Sequence, residues 1–274
     1  METLRIVAFM LMWVGAVSEA SVKETVVKIC YSSHAPYTYK ENGAMRGIDV
    51  EMISLIFPKL SLKAEYHEMP WARCLLKIRS GGMDATTNAV KTAERGEFAI
   101  FSEPYVSVSP GLYVLWNRRD LQQIKGLDDF SKKSSLKVGV IRNAEYGPDF
   151  KTLSSKLRDK SEFIINTSDE TNFKMLNLER IDIVLTMDHL ASWEIDHQGI
   201  RNLVVRLNLK LAPAEYHILV SKKSKIKHLI PAINSRIGEM RRNGEYLKIE
   251  RIYRERKVDP QLEKQTLNDG GNGF

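Results

Sequence analysis

Residues 136–141 read Leu-Lys-Val-Gly-Val-Ile, a short apolar run with no helical spacing, and its reading as a buried strand decides the fold. Working outward, a helix is expected from about Glu145 to Leu157 and a strand at Phe163–Asn166. Ser168 then caps a helix with Glu170 and Thr171 in its first turn, and an apolar strand at Ile181–Leu185 leads into a helix over Asp188–Asp196. The same order has already run once upstream. Thr25–Tyr31 (TVVKICY) is β-rich, and Ile48, Met52, Ile53, Leu55 and Ile56 recur at helical spacing before Pro58. Leu62–His67 alternates as a strand, Pro70 opens a helix that stops at Gly81-Gly82, and Asp84–Ala89 reads as another strand, followed by Phe98–Phe101. Strands separated by helices predict α/β architecture with mostly parallel sheets, and the restart predicts a second lobe. Two β-rich connectors, Tyr105–Trp116 and Leu211–Ser221, carry Pro104, Pro110 and Pro213 near the lobe boundaries. Ile226–Tyr253 reads as helical with a break at Asn243-Gly244. Beyond Asp259 apolar periodicity ends.

Composition agrees with a globular chain. The 274 residues are 43% hydrophobic and 27% charged, and 16 glycines and 9 prolines are too few for a fibrous sequence. A mean hydropathy of -0.29 excludes a polytopic membrane protein. The long apolar run, Ile6–Val17, is shorter than the roughly 20 residues of a spanning helix. It follows Arg5 and precedes Ser18-Glu19-Ala20, the pattern of a secretory signal peptide over residues 1–20, so the expected location is the periplasm. Its removal leaves 40 basic against 32 acidic residues, a balance that favours anionic small ligands or anionic surfaces. The clusters Lys222-Lys223, Lys225, Lys227 and Arg251, Arg254, Arg256, Lys257 read as solvated helix faces, with no nucleic-acid partner expected.

Two cysteines cannot make a disulfide-rich scaffold. Cys30 and Cys74 are either a disulfide or two buried small hydrophobes, and without CxxC spacing a thioredoxin-type role has no support. The six histidines are dispersed, and no Ser/His/Asp order, phosphate loop or metal-ligand cluster is evident. No cofactor or metal is expected.

The order of several passages resembles the bacterial extracellular solute-binding proteins of family 3, the periplasmic receptors of amino-acid ABC transporters. They are Gly47-Ile48-Asp49-Val50; Pro70-Trp71-Ala72-Arg73 leading to Ser80-Gly81-Gly82-Met83-Asp84-Ala85; and Thr92-Ala93-Glu94-Arg95 followed by Phe101-Ser102-Glu103-Pro104-Tyr105. Lys137-Val138-Gly139-Val140, Arg180-Ile181-Asp182-Ile183-Val184 and Arg242-Asn243-Gly244-Glu245-Tyr246 complete the set, which spans roughly residues 25–254. The resemblance implies a two-lobed, type II periplasmic-binding-protein fold. Residues 21–106 with 214–256 would form lobe 1, residues 107–213 lobe 2, and 257–274 a flexible tail. It also implies a monomer that closes on a small ligand and delivers it to a membrane permease.

Arg95 matches the family's carboxylate-binding arginine, whose planar fork fits both oxygens of an acid; otherwise it is a surface arginine on a short helix. Thr92 would cap that helix and offer its hydroxyl or amide to the same group. Tyr37 and Trp71 stand where aromatic walls are expected, each alternatively ordinary core, and Arg73 is either a second anionic contact or an exposed helix face. In lobe 2 the loop Arg142–Gly147 sets Asn143, Glu145 and Tyr146 between a strand and a helix, where the family has a glycine and small hydroxyl residues. Asn88 and Val90 occupy the family's glycine and hydroxyl positions before the arginine, so Val90 removes a hydrogen bond usually given to an α-amino group. The acid that usually pairs with that ammonium is replaced by Met187; either Asp188 takes the role by a one-residue shift or the ammonium site is absent. The rivals to transport are a sensor module acting through a separate membrane partner, and an enzyme like the cyclohexadienyl dehydratases with Glu145 or Asp188 as acid. No sequence feature points to catalysis, and the protein is expected not to be an enzyme.

Overall fold

The computed structural model describes residues 24–133, 135–158 and 161–255; the expected signal peptide and tail lie outside them. In chain order the first part contains β1 (Thr25–Tyr31), the hairpin β2 (Tyr39–Glu41) and β3 (Ala44–Arg46), α1 (Ile48–Ile56), β4 (Leu62–Glu68), α2 (Trp71–Ser80), β5 (Ala85–Val90), α3 (Ala93–Phe98), β6 (Ala99–Phe101) and β7 (Val106–Val108). The chain then crosses into β8 (Pro110–Leu115), α4 (Arg119–Gln122), β9 (Leu136–Ile141), α5 (Phe150–Arg158), β10 (Ser161–Asn166), α6 (Asp169–Asn177), β11 (Ile183–Met187), α7 (Asp188–His197) and β12 (Val204–Arg206). It returns through β13 (Ala214–Ser221) and ends in α8 (Ile230–Arg242) and α9 (Glu245–Glu255).

Two sheets result. The first has the order β4-β1-β5-β13-β6, with β7 also on β13, and the second β10-β9-β11-β8-β12. Each is parallel where strand–helix–strand units build it: β4, β1 and β5 in one, β10, β9 and β11 in the other. Each is antiparallel at β13 or β8, the strands by which the chain enters from the opposite lobe. The β8 and β13 strands are buried almost throughout, which accounts for their apolar sequence.

Local chemistry sets the boundaries. Gly81 takes φ 81° and ends α2, as a left-handed C-terminal glycine does. Ser168 accepts from the Thr171 amide at 3.2 Å and starts α6. Gly139 in LKVGVI has a packing reason: a Cβ there would lie 2.7 Å from Oδ1 of the fully buried Asn172 on α6. Gly47 holds φ 125° before α1, where a Cβ would meet the Tyr37 carbonyl oxygen at 2.0 Å.

The helix expected from Glu145 does not form until Phe150. Gly147 at φ 98° and Pro148 break the segment, and the Tyr146 hydroxyl turns back to accept from the Ile141 amide at 2.8 Å. The β2–β3 hairpin and β12 are too short to have shown periodicity. Cys30 on β1 and Cys74 on α2 are joined as a disulfide, with both residues fully buried and their Cα atoms 5.6 Å apart.

Candidate functional site

In each sheet the parallel strands point their carboxyl ends at the other lobe, where open α/β sheets place their ligands. The cavity between the lobes is walled by residues at and just beyond those ends: Tyr31–His34 after β1, Thr86, Thr87, Asn88 and Val90 on β5, Ile141 and Ala144–Tyr146 after β9, Thr167–Asp169 after β10, and Thr186-Met187 on β11. Trp71, Arg95, Leu190 and Tyr216 complete it. Its volume of about 80 Å³ holds roughly six waters at 10–15 Å³ each, or a ligand of similar size.

The lobes touch on both flanks of this cavity. On one flank, the Asn143 carbonyl of lobe 2 accepts from Arg95 Nη2 at 2.8 Å and from Trp71 Nε1 at 3.1 Å. On the other, Tyr37 lies 4.4 Å from His189 and Tyr39 lies 5.3 Å from Trp193, ring centre to ring centre.

Among the described residues Arg95 is the single Lys or Arg lining the cavity, and it is only 5% exposed. Its Nη1 donates to the Val90 carbonyl at 2.7 Å, and its guanidinium lies 5.4 Å from the Trp71 ring. Two of its five N–H groups are thus held by carbonyl oxygens. Thr92 caps α3, its hydroxyl accepting from the Arg95 amide at 3.2 Å. That cap positions the arginine, but Thr92 itself lines an adjoining outer groove with Asn143 rather than the cavity. Burial pulls Arg95 below the ordinary arginine range, opposed by the charges of Glu145 and Glu94; burial also raises the half-buried Glu145, opposed by Arg95.

Asn88 takes φ 57° where the resembled family has glycine, and Asn143 takes φ 60° in its loop. Asparagine tolerates the left-handed region better than other non-glycine residues. A buried network holds Asn88: its amide donates to the Tyr105 hydroxyl at 2.9 Å, and that hydroxyl donates to Asn88 Oδ1 at 3.1 Å. Behind it, burial pushes Asp49 up to about 6, against hydrogen bonding from Thr87, Tyr105, Thr38 and Asn88.

The structure brings together Arg95, Asn88, Trp71, Glu145 and Tyr146 around the cavity. It does not bring in Tyr37 or Asp188. Tyr37 is packed behind the wall against His189 and Tyr216, because the turn after β1 puts His34 at the cavity instead. Asp188 opens α7 and faces the opposite side of β11, its Oδ1 accepting from the Tyr113 hydroxyl at 2.6 Å and Arg206 Nε at 2.7 Å. Met187 turns inward in its place. Those contacts prevent a one-residue shift from carrying Asp188 into the cleft.

Sequence reasoning missed His34, Asp169, Thr186 and Tyr216. Asp169 directly follows the capping Ser168, so it reads as an ordinary acid in a first helical turn. Tyr216 and Thr186 lie on strands buried on both faces, where alternation gives no signal.

Known proteins share this architecture. An ancestral arginine-binding protein bound to arginine superposes with a TM-score of 0.72 at 23% identity, covering 84% of this chain and 99% of that one. An ancestral amino acid-binding protein described as a precursor of cyclohexadienyl dehydratase gives 0.68 at 18%, covering 83% and 95%. These likenesses establish the two-lobed periplasmic-binding-protein fold. In sequence, a probable amino-acid-binding protein of Bacillus subtilis (strain 168), YxeM, is 26% identical over 226 residues, or 80% of this chain and 79% of that protein. The family model for bacterial extracellular solute-binding proteins, family 3, matches residues 27–255. With the fold and the order of motifs, that match establishes that the chain belongs to this family.

Proposed function

We propose that the protein is exported, captures a small carboxylate-bearing solute between its lobes, and presents it to an ABC-type permease. The observation that carries this reading is Arg95: a nearly buried guanidinium on the cavity wall, held by carbonyl oxygens and, among the described residues, within hydrogen-bond distance of no carboxylate, Glu145 acting on it through its charge alone. Burying a cation is costly unless an anion completes its shell, and a ligand carboxylate supplies two oxygens in matching geometry. Because Arg95 also reaches the Asn143 carbonyl across the gap, the ligand-binding group and the contact between lobes are one structure. A solute seated there favours the closed arrangement by its contacts with both lobes.

The test is thermal-shift screening of the twenty L-amino acids and of small organic acids, followed by calorimetry on the compounds that stabilise. Arg95→Ala is expected to weaken binding at least about 100-fold, from loss of two charge-assisted hydrogen bonds. Full wild-type stabilisation of that variant would overturn the assignment. Turnover of prephenate or arogenate by the purified protein would overturn the reading as a binding protein rather than an enzyme.

A further inference from the structure

We propose that Tyr105 is a positioning residue for the solute site: its hydroxyl holds a β-bulge in β5, and that bulge presents Thr86, Thr87 and Asn88 to the cavity. The role rests on the Arg95 reading above in one respect, that solute binds in this cavity. It also gives a purpose to Phe101-Ser102-Glu103-Pro104-Tyr105, a motif whose side chains do not line the cavity.

Three consecutive residues of β5, Thr86, Thr87 and Asn88, line the cavity. A regular strand turns alternate residues to opposite faces, so the three together need an irregularity. The pairing with β13 contains it. Ala89 pairs with His217 and Thr86 with Leu219, which leaves Thr87 and Asn88 opposite Ile218 alone. Two residues against one is a β-bulge, a device that re-aims side chains beside functional sites. Asn88 supplies the bend with φ 57°, in the left-handed region that glycine enters freely and asparagine at some cost.

What holds the bend is the motif between β6 and β7. Tyr105 is 2% exposed, and its hydroxyl accepts from the Asn88 amide at 2.9 Å and donates to Asn88 Oδ1 at 3.1 Å. The Tyr105 amide donates in turn to the Tyr216 carbonyl at 2.9 Å, which ties the residue to β13. Ser102, nearer the start of the motif, fixes the residue opposite the bulge. Its Oγ accepts from the Ile218 amide at 2.9 Å, and its own amide donates to the Ile218 carbonyl at 2.8 Å. Tyr105 does not line the cavity itself, so its hydroxyl reaches solute through Asn88. Without that hydroxyl the bulge would keep a left-handed asparagine and an amide without its acceptor, and β5 would gain by relaxing toward regular alternation.

The experiment compares wild type, Tyr105→Phe, Asn88→Gly and their double variant, with Arg95→Ala as the control for the site. Tyr105→Phe keeps the ring beside Tyr246, 6.4 Å between ring centres, and removes the hydroxyl alone. In the free protein, amide hydrogen exchange at Asn88 should run about fivefold to thirtyfold faster in Tyr105→Phe relative to the amides of β9, the factor for loss of one hydrogen bond. Calorimetry uses the twenty L-amino acids with acetate, succinate and glutarate, at a temperature where each variant is fully folded. Any compound that wild type binds should bind Tyr105→Phe more weakly by about the same factor. In the Asn88→Gly background the same substitution should cost about threefold or less, because glycine keeps a positive φ without help. Unchanged exchange at Asn88 overturns the pinning, whether or not a compound binds. Faster exchange with unchanged affinity, or an equal loss of affinity in both backgrounds, overturns the positioning role. If no compound binds, or if Arg95→Ala binds like wild type, the reading beneath fails, while the exchange result still decides the bulge. Should Tyr105→Phe not fold, an Asn88 amide that exchanges without protection in wild type overturns the proposal.

Discussion

His34→Gln separates one buried histidine from the buried acids that titrate over the same pH range. His34 lies just past the carboxyl end of β1, its ring centre 6.1 Å from that of His189 in the other lobe and 6.3 Å from that of Tyr216. Its Nε2 is buried and has no hydrogen-bond partner, and burial lowers its pKa from 6.5 to about 4. Because the folded value is the lower one, the unfolded chain binds the extra proton between these two limits. The neutral ring's contribution is therefore intact above pH 6.5 and is lost as pH falls toward 4. The full offset is roughly 3 kcal/mol at about 1.4 kcal/mol per pKa unit, and about 2 kcal/mol of it falls between pH 7 and pH 5. Asp49, raised to about 6, and Asp169, raised to about 7, shift the other way, since the folded chain takes up their protons first as pH falls. The wild-type curve alone thus mixes opposing effects. The difference between wild type and His34→Gln, from urea unfolding at pH 7 and pH 5, cancels the acids. Wild type should lose about 2 kcal/mol relative to the variant over that interval. A difference that stays constant with pH would mean that His34 is solvated enough to charge freely, refuting its placement in the lobe contact.

Other expectations follow from the same structure. Replacing Cys30 and Cys74 together by alanine should cost up to about 4 kcal/mol in urea unfolding, the chain-entropy value for a 44-residue separation; an unchanged midpoint would show that the purified protein does not depend on the bond. Gly47→Ala should destabilise by at least about 3 kcal/mol, combining a strained φ of 125° with a Cβ 2.0 Å from the Tyr37 carbonyl oxygen, and a melting temperature within 2 °C of wild type (roughly 1 kcal/mol) would contradict that geometry. Asp188→Asn should lose about 1–3 kcal/mol of stability through Arg206 and Tyr113 while leaving ligand affinity within about threefold, whereas a large affinity loss would return Asp188 to the cleft.

Several features were legible before any coordinates. The alternation of strands and helices, its restart at LKVGVI, and the capping residues Ser168, Gly81 and Thr92 are local signals, and each acts within a few residues of where it stands. The place of Arg95 on the cavity wall was legible because its motif is contiguous with the strand and cap that aim it. The family order was legible for the same reason, since each motif is a short run.

What the chain order could not convey was which side of a wall a residue faces. Asp188 and Met187 are neighbours, and only the strand–helix junction turns the methionine inward and the aspartate onto Arg206. Tyr37 and His34 are separated by three positions in one turn, and the packing of His189 from the other lobe decides which lines the cavity. The Cys30–Cys74 bond needed α2 laid against β1. Sequence by itself thus determined the longer elements and the position of Arg95 after its strand and cap, whose signals are short-range. The tertiary structure alone decided that Asp169, Thr186 and Glu194 act on one another, because such an influence depends on what lies within a few ångströms in space, and β10, β11 and α7 meet there from separate parts of the chain.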